Sequence, residues 1–156
     1  MEIRPAKIKD VEEIAKLVNF YADKGEMLAR ALSQVYSGIR DYVVIEDDGH
    51  VAACGALHVV WSDIGEIRTL AVVPEKTHQG LGRMIVEQLI DNARTLELPS
   101  VFCLTYKPEF FEKLRFKRID KKELPHKIWK DCINCAKFPD CDEVALIRKV
   151  QLIQAV

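Results

Sequence analysis

Between Glu66 and Arg83 the chain reads EIRTLAVVPEKTHQGLGR: an apolar run, a turn through Pro74, then two glycines one residue apart. Such a segment has few ways to fold. A strand ending at Val73 and a helix beginning near Gln79 leave backbone N–H groups at the helix mouth without intrahelical partners, and these favour an anion. Gly80 and Gly82 let that anion approach the backbone with no Cβ in the way. Beyond them Leu81, Ile85, Leu89, Ile90, Ala93 and Leu96 recur at helical spacing, which predicts one buried helix face. The pattern alone also describes a plain helix with a flexible entry. There is no G-x-G-x-x-G after the strand and no G-x-x-x-x-G-K-[ST] in the chain, so the usual dinucleotide and P-loop sites find no support.

The order Val72-Val73-Pro74-Glu75, then Thr77-His78-Gln79-Gly80-Leu81-Gly82, resembles the acetyl-coenzyme A signature of the GNAT (GCN5-related) N-acetyltransferases. In that signature Arg or Gln usually stands at the place of Thr77, and Gly often at that of His78. Backbone N–H groups do most of the phosphate holding, so these departures cost the match little. The resemblance implies acetyl-CoA as co-substrate, held by Thr77, His78, Gln79, Gly80, Leu81, Gly82 and Arg83 and, along the strand, by Leu70, Ala71 and Val72.

The 156 residues suit one domain, and a hydrophobic content of 49% is that of a globular protein. With 23 basic and 24 acidic residues the net charge is -1, and no basic run marks a nucleic-acid surface. No apolar stretch approaches the roughly 20 residues a membrane span needs, and the start MEIRPAKIKD is too charged for a signal peptide. A cytoplasmic location is expected. Five cysteines in that compartment read as thiols or metal ligands rather than a disulfide framework; Cys54 and Cys103, in apolar runs, read as small buried hydrophobes.

From the N-terminus, a short strand at Ile3-Arg4 precedes a helix whose apolar positions are Val11, Ile14, Leu17, Val18 and Tyr21, with Asp10 as N-cap and Gly25 as breaker. Leu28, Leu32, Val35 and Ile39 predict a second, less regular helix ending near Gly38. Strands are expected at Tyr42–Glu46 and Val51–Val60, joined by an Asp48-Gly49 hairpin turn, then at Ile67–Val73, Val101–Thr105, and from Phe116 to Ile119 after a short helix Pro108–Leu114. The order β-α-α-β-β-β-α-β-α-β resembles the GNAT fold independently of the signature. The fold class expected is α/β (α+β), with a mixed, mostly antiparallel central sheet flanked by helices and splayed central strands forming the acetyl-CoA cleft. Residues 1–156 form a single N-acetyltransferase domain in this reading, with a cysteine-containing arm at 121–143 and a final strand at 144–150.

Within the superfamily, IRPAKIKDVEEIAKLV, the segment from Gly25 to Arg30 and GEIRTLAVVPE are most similar to the acetyltransferase domain of bacterial N-acetylglutamate synthases. No segment matches the amino-acid-kinase domain that often precedes it, so a short, stand-alone form is expected. This resemblance implies transfer to the α-amino group of glutamate, and so arginine biosynthesis. It implies Leu28, Arg30 and Arg68 as substrate-binding residues, a guanidinium matching a carboxylate bidentately. Glu66, at the strand's start, is the candidate base, against the plainer reading of a solvated strand-end carboxylate. The tyrosine that many GNAT enzymes use as general acid aligns with Phe111, which has no proton to give, and Tyr106 reads as a half-buried strand-end aromatic. Two other functions stay open: a GNAT enzyme for another small amine or amino acid, and a non-catalytic acetyl-CoA-sensing module.

In the arm, Cys132-x2-Cys135-x5-Cys141 begins with a zinc-like spacing, with His126 or an aspartate as a fourth ligand; Lys127 there is a third candidate cation for substrate recognition, after Arg30 and Arg68. With neither a second C-x-x-C nor a His pair, no metal is expected. The partners expected are acetyl-CoA and a small amino acid, with no nucleic acid and no membrane. The resemblance to a superfamily that often dimerises makes a homodimer the expectation for the assembly, with pairing through the final strand one way to form it.

Overall fold

The computed structural model describes residues 1–124, 128 and 142–152. The elements run β1 (Glu2–Pro5), α1 (Val11–Asp23), α2 (Leu32–Ser37), β2 (Tyr42–Asp47), β3 (His50–Trp61), β4 (Ile64–Val72), α3 (Leu81–Thr95), β5 (Ser100–Thr105), α4 (Pro108–Glu112), β6 (Lys117–Ile119) and β7 (Val144–Lys149). The seven strands are hydrogen-bonded in the order β1-β2-β3-β4-β5-β7-β6. Two compact units divide the chain: Met1–His58 with Ile67–Asn92, and Val59–Glu66 with Ala93–Val156. Strands β3 and β4 run through both.

In the first unit, β1 pairs antiparallel with β2, and β2 with β3. The β2–β3 turn is the expected one: Asp48 (φ 51°) and Gly49 (φ 79°) both take the left-handed conformation that two-residue hairpins require. Helix α1 buries Val11, Ile14, Leu17 and Val18 on one face, against Val35, Tyr42, Val44, Cys54, Ala56 and Ala71. It stops where Gly25 (φ 74°) turns the chain and donates its N–H to Ala22 O. The second helix is shorter than the apolar spacing predicts, because Leu28 lies in the connection before Leu32, and residues 25–31 are not helical.

Asp10 is not the side-chain cap of α1. Its carboxylate instead accepts the Lys7 N–H at 2.7 Å and both Nη atoms of Arg4, at 2.8 and 3.0 Å, while Arg4 Nη2 also donates to Glu46 at 3.0 Å. Burial pushes the Asp10 carboxyl up, but the Arg4 and Lys7 bonds outweigh it and hold the group below its ordinary 3.8. A carboxyl that is more acidic folded than unfolded stabilises fully above its unfolded value, and that contribution is lost as pH falls through the folded one. Urea midpoints should therefore decline below pH 3.8 in the wild type. They should decline less steeply in Asp10→Asn, which has lost that term already.

In the second unit β4 and β5 are parallel, paired at Gly65↔Val101 and Glu66↔Phe102. Strand β7 lies between β5 and β6, antiparallel to both. Ile64, Phe102, Leu124, Ile128 and Ala145 form the core here, flanked by Val60, Leu104, Ile119 and Ile147. Strand β7 thus has a hydrogen-bonded neighbour on each side, β5 along 144–149 and β6 along 145–147. Two expectations are corrected here. Leu96 is 58% exposed, since α3 ends at Thr95, and Leu98 is buried instead. The central strand starts at Ile64, three residues before the apolar run suggests.

Candidate functional site

The turn between β4 and α3 has the geometry of an anion cradle. After a single helical turn at Pro74–Lys76, secured by Lys76 pairing with Asp47, Thr77 Oγ1 donates to Pro74 O at 3.1 Å. His78 then adopts φ 63° and Gly80 φ 84°. The left-handed backbone at His78 explains why glycine is common at that place, and His there carries a steric cost. Met84 N–H donates to Gly80 O at 3.1 Å as the first intrahelical bond. The N–H groups of Leu81, Gly82 and Arg83 therefore precede the ladder, at the positive end of a 15-residue helix. The helix begins at Leu81 rather than Gln79.

Thr77, His78, Gln79, Gly80 and Arg83 are exposed, so all five are open to a ligand. A Cβ built on Gly80 would meet nothing within 4 Å. Leu81 is 2% exposed, which leaves only its backbone for binding while its side chain anchors the helix. The whole of α3 is seated close to the sheet: a Cβ on Gly55 would stand 2.5 Å from Ile85 Cγ2, 3.3 Å from Leu89 Cδ1 and 3.4 Å from Leu70 Cδ1.

Strand β4 is irregular where the expected donor-binding residues lie. Thr69, just before Leu70, takes φ 52°, a left-handed residue inside a strand. Its carbonyl accepts from Cys54 Sγ at 3.5 Å, and its Oγ1 is buried without a hydrogen-bond partner. Burial pushes the Cys54 thiol up to about 12, so it stays a neutral, structural thiol. Burial also raises the Tyr42 phenol, which the Arg30 charge pulls the other way. Val72 O accepts the Tyr21 hydroxyl at 2.5 Å, so that carbonyl has a partner supplied by α1. Ala71 is 4% exposed and, like Leu81, has only its backbone to offer.

Arg30 and Leu28, both half-buried, lie in the connection between α1 and α2. Asn19 Nδ2 donates to Arg30 O at 2.9 Å, and Arg30 N donates back to Asn19 Oδ1 at 3.0 Å. Arg68 is half-buried on β4 of the same unit. Thus one unit holds the cradle, the β4 irregularity, Arg30 and Arg68, together with four residues that sequence spacing did not single out for function: Asn19, Tyr21, Tyr42 and Thr69. Tyr21 registers in the sequence only as an apolar helix position, and a pattern of hydrophobicity says nothing about its hydroxyl.

Glu66 belongs to the second unit, half-buried on β4 and in register with Phe102. Its charge is felt at the Cys103 thiol, which burial first and Glu66 second push upward. Phe111 is buried, with edge-on contacts to Phe110 and Phe116. The Tyr106 hydroxyl donates to Asp142 Oδ1 at 2.7 Å. His126, Lys127, Cys132, Cys135 and Cys141 lie outside the described residues. Among the described residues no group of three His, Cys, Asp or Glu side chains is placed to hold a metal ion.

Residues 9–116 match the model of the acetyltransferase (GNAT) family. The chain belongs to that family. Its similarity extends to an uncharacterized N-acetyltransferase of Chlorobaculum tepidum, 36% identical over 94% of both chains, and to the amino-acid acetyltransferase of Mycobacterium tuberculosis, 44% identical over 76% of this chain and 69% of the relative. Among solved structures, N-acetylglutamate synthase from Neisseria gonorrhoeae, complexed with coenzyme A and N-acetyl-glutamate, superposes with a TM-score of 0.88 at 28% identity. The match covers 96% of this chain and 35% of that one, so the chain spans about a third of that synthase. The protein is thus a GNAT N-acetyltransferase with acetyl-CoA as its co-substrate, and the seven-stranded, mostly antiparallel sheet flanked by helices is the GNAT fold. No described helix is long and apolar enough to cross a membrane.

Proposed function

We propose that this GNAT enzyme acetylates the α-amino group of L-glutamate, the entry reaction of arginine biosynthesis. The observation that carries the reading is Arg30: a half-buried arginine on a backbone fixed to α1, in the same unit as the acetyl-CoA cradle. A planar fork of this kind suits a carboxylate better than a lysine would. The names of the relatives agree with an amino-acid acceptor, since one is an amino-acid acetyltransferase and another was solved with N-acetyl-glutamate.

In the reaction the cradle N–H groups at Leu81, Gly82 and Arg83 hold the pyrophosphate of acetyl-CoA, and the β4 backbone around Leu70 directs the pantetheine arm. The acceptor's nitrogen is mostly protonated at neutral pH and must lose a proton before it can attack. Glu66 takes that proton, through water. The free amine then attacks the thioester carbonyl carbon, and the backbone N–H near Leu70 stabilises the oxyanion. Collapse breaks the C–S bond and releases the thiolate, and the nitrogen's second proton passes to solvent to leave the neutral amide. Solvent water protonates it, because Phe111 has no acidic hydrogen and the Tyr106 hydroxyl is engaged with Asp142.

Glu66→Gln should lower turnover at neutral pH by about 10²-fold, the low end for general-base catalysis, with acetyl-CoA affinity unchanged. Its activity should rise with pH as the amine deprotonates unaided. Stopped assays across pH would remove Glu66 from the mechanism if the variant kept the wild-type profile. The substrate itself is tested by steady-state release of coenzyme A thiol with glutamate, glutamine, aspartate and simple amines. Glutamate should give the highest kcat/KM, and a different preferred amino acid would leave the acetyltransferase and discard the acceptor.

A further inference from the structure

We infer that Asn19 is a positioning residue for acceptor binding: its side-chain amide sets the backbone of Arg30 and thereby aims the guanidinium at the acceptor's carboxylate. The inference rests on the reading of Arg30 given under Proposed function.

A carboxamide carries a donor and an acceptor side by side, the complement of the N–H and C=O of a single extended residue. Asn19 uses both on Arg30, at 2.9 and 3.0 Å, across 11 residues of sequence. The effect is that of one rung of a β-ladder built from a helix side chain. Neighbouring bonds complete the fixation: Met27 packs on the first unit's core, and Ala31 N–H donates to Gln34 Oε1 at 2.8 Å. With the backbone held at 30 and 31, the arginine keeps only its own side-chain rotations. Binding that does not have to order a loop loses less free energy to conformational entropy.

The choice of Asn follows from where it stands. Position 19 is half-buried and follows the buried Val18 at the edge of the α1 apolar face. An aliphatic residue there would leave the Arg30 N–H and C=O to water or unpaired. An aspartate would keep the acceptor for the N–H but set a charge against the carbonyl.

The test is a double-mutant cycle with glutamate as acceptor, comparing Asn19→Ala, Arg30→Ala and the pair, with urea midpoints measured for each and Asn19→Asp as a second probe. Asn19→Ala should raise the glutamate KM about tenfold, two lost hydrogen bonds of ordinary strength, while the acetyl-CoA KM and kcat stay within about twofold. Asn19→Asp should also raise it, to a smaller extent. On the Arg30→Ala background the Asn19 change should have almost no further effect on glutamate KM, since a residue that acts through another is silent without it. Full additivity would overturn the inference, as would a normal glutamate KM in Asn19→Ala beside a raised one in Arg30→Ala. A parallel loss of stability, acetyl-CoA binding and kcat would reduce Asn19 to a structural role and overturn it too. An unchanged glutamate KM in Arg30→Ala would instead sink the acceptor reading itself.

Discussion

Gly82→Val is expected to lose acetyl-CoA binding, by at least about 100-fold in calorimetry, while the far-UV spectrum and urea midpoint remain close to wild type. Gly82 is in the first turn of α3, between Leu81 and Arg83, where the backbone N–H groups precede the intrahelical ladder. A β-branched side chain there would fill the space the pyrophosphate needs and hold phosphate oxygens beyond hydrogen-bond reach of those N–H groups. The residue is half-buried and takes helical geometry, so valine costs the fold little. Gly80 would be a poorer probe. Its φ of 84° strains any side chain, so lost binding there would mix a distorted turn with a blocked one. Unchanged affinity in Gly82→Val would mean the phosphates sit elsewhere.

Gly55→Ala is expected to do the opposite: to damage the fold first and binding second. The added Cβ would stand 2.5 Å from Ile85 Cγ2, a methyl on a β-branched side chain within a helix, which has little freedom to move aside. Ile85 and Leu89 are fully buried, so the clash is relieved by shifting α3 away from β3. Overpacking of this kind costs about 1–3 kcal/mol. Because α3 carries the cradle at its first turn, acetyl-CoA affinity should fall along with the urea midpoint. A stable variant with normal affinity would show that α3 is less closely seated on Gly55 than these distances indicate.

The parts of the fold that can be read from sequence are those fixed by local chemistry. Asp48-Gly49 names its own turn because few other pairs tolerate two left-handed residues, and the α3 pattern is legible because Leu81, Ile85, Leu89, Ile90 and Ala93 all bury one face. The same apolar counting misleads at Leu28 and Leu96, which continue a helical spacing past the points where the helix begins or has ended. Glu66 and Gly65 hide the start of β4, because a polar residue and a glycine do not look like a strand. In the site, the cradle is legible since glycine at a helix mouth has a backbone reason. Asn19, Tyr21 and Thr69 are not, because their contacts with Arg30, Val72 and Cys54 join residues 11, 51 and 15 positions apart.

The position of β7 bears on how such a chain is made. Every segment of the first unit has been synthesised by Asn92, so that unit can begin to assemble as the chain grows. The second unit has no such option: among the described strands β5 and β6 are joined through β7, which lies C-terminal to both. Until Val144–Lys149 arrives, the Ser100–Thr105 edge, with Val101, Phe102 and Cys103 destined for burial, has no partner on that side. An unpaired apolar edge is a template for foreign strands. Translation that stalls before residue 144 therefore yields a nascent chain whose first unit has all its segments and whose β5 edge is open to aggregation, so chaperone demand persists until Val144–Lys149 has emerged.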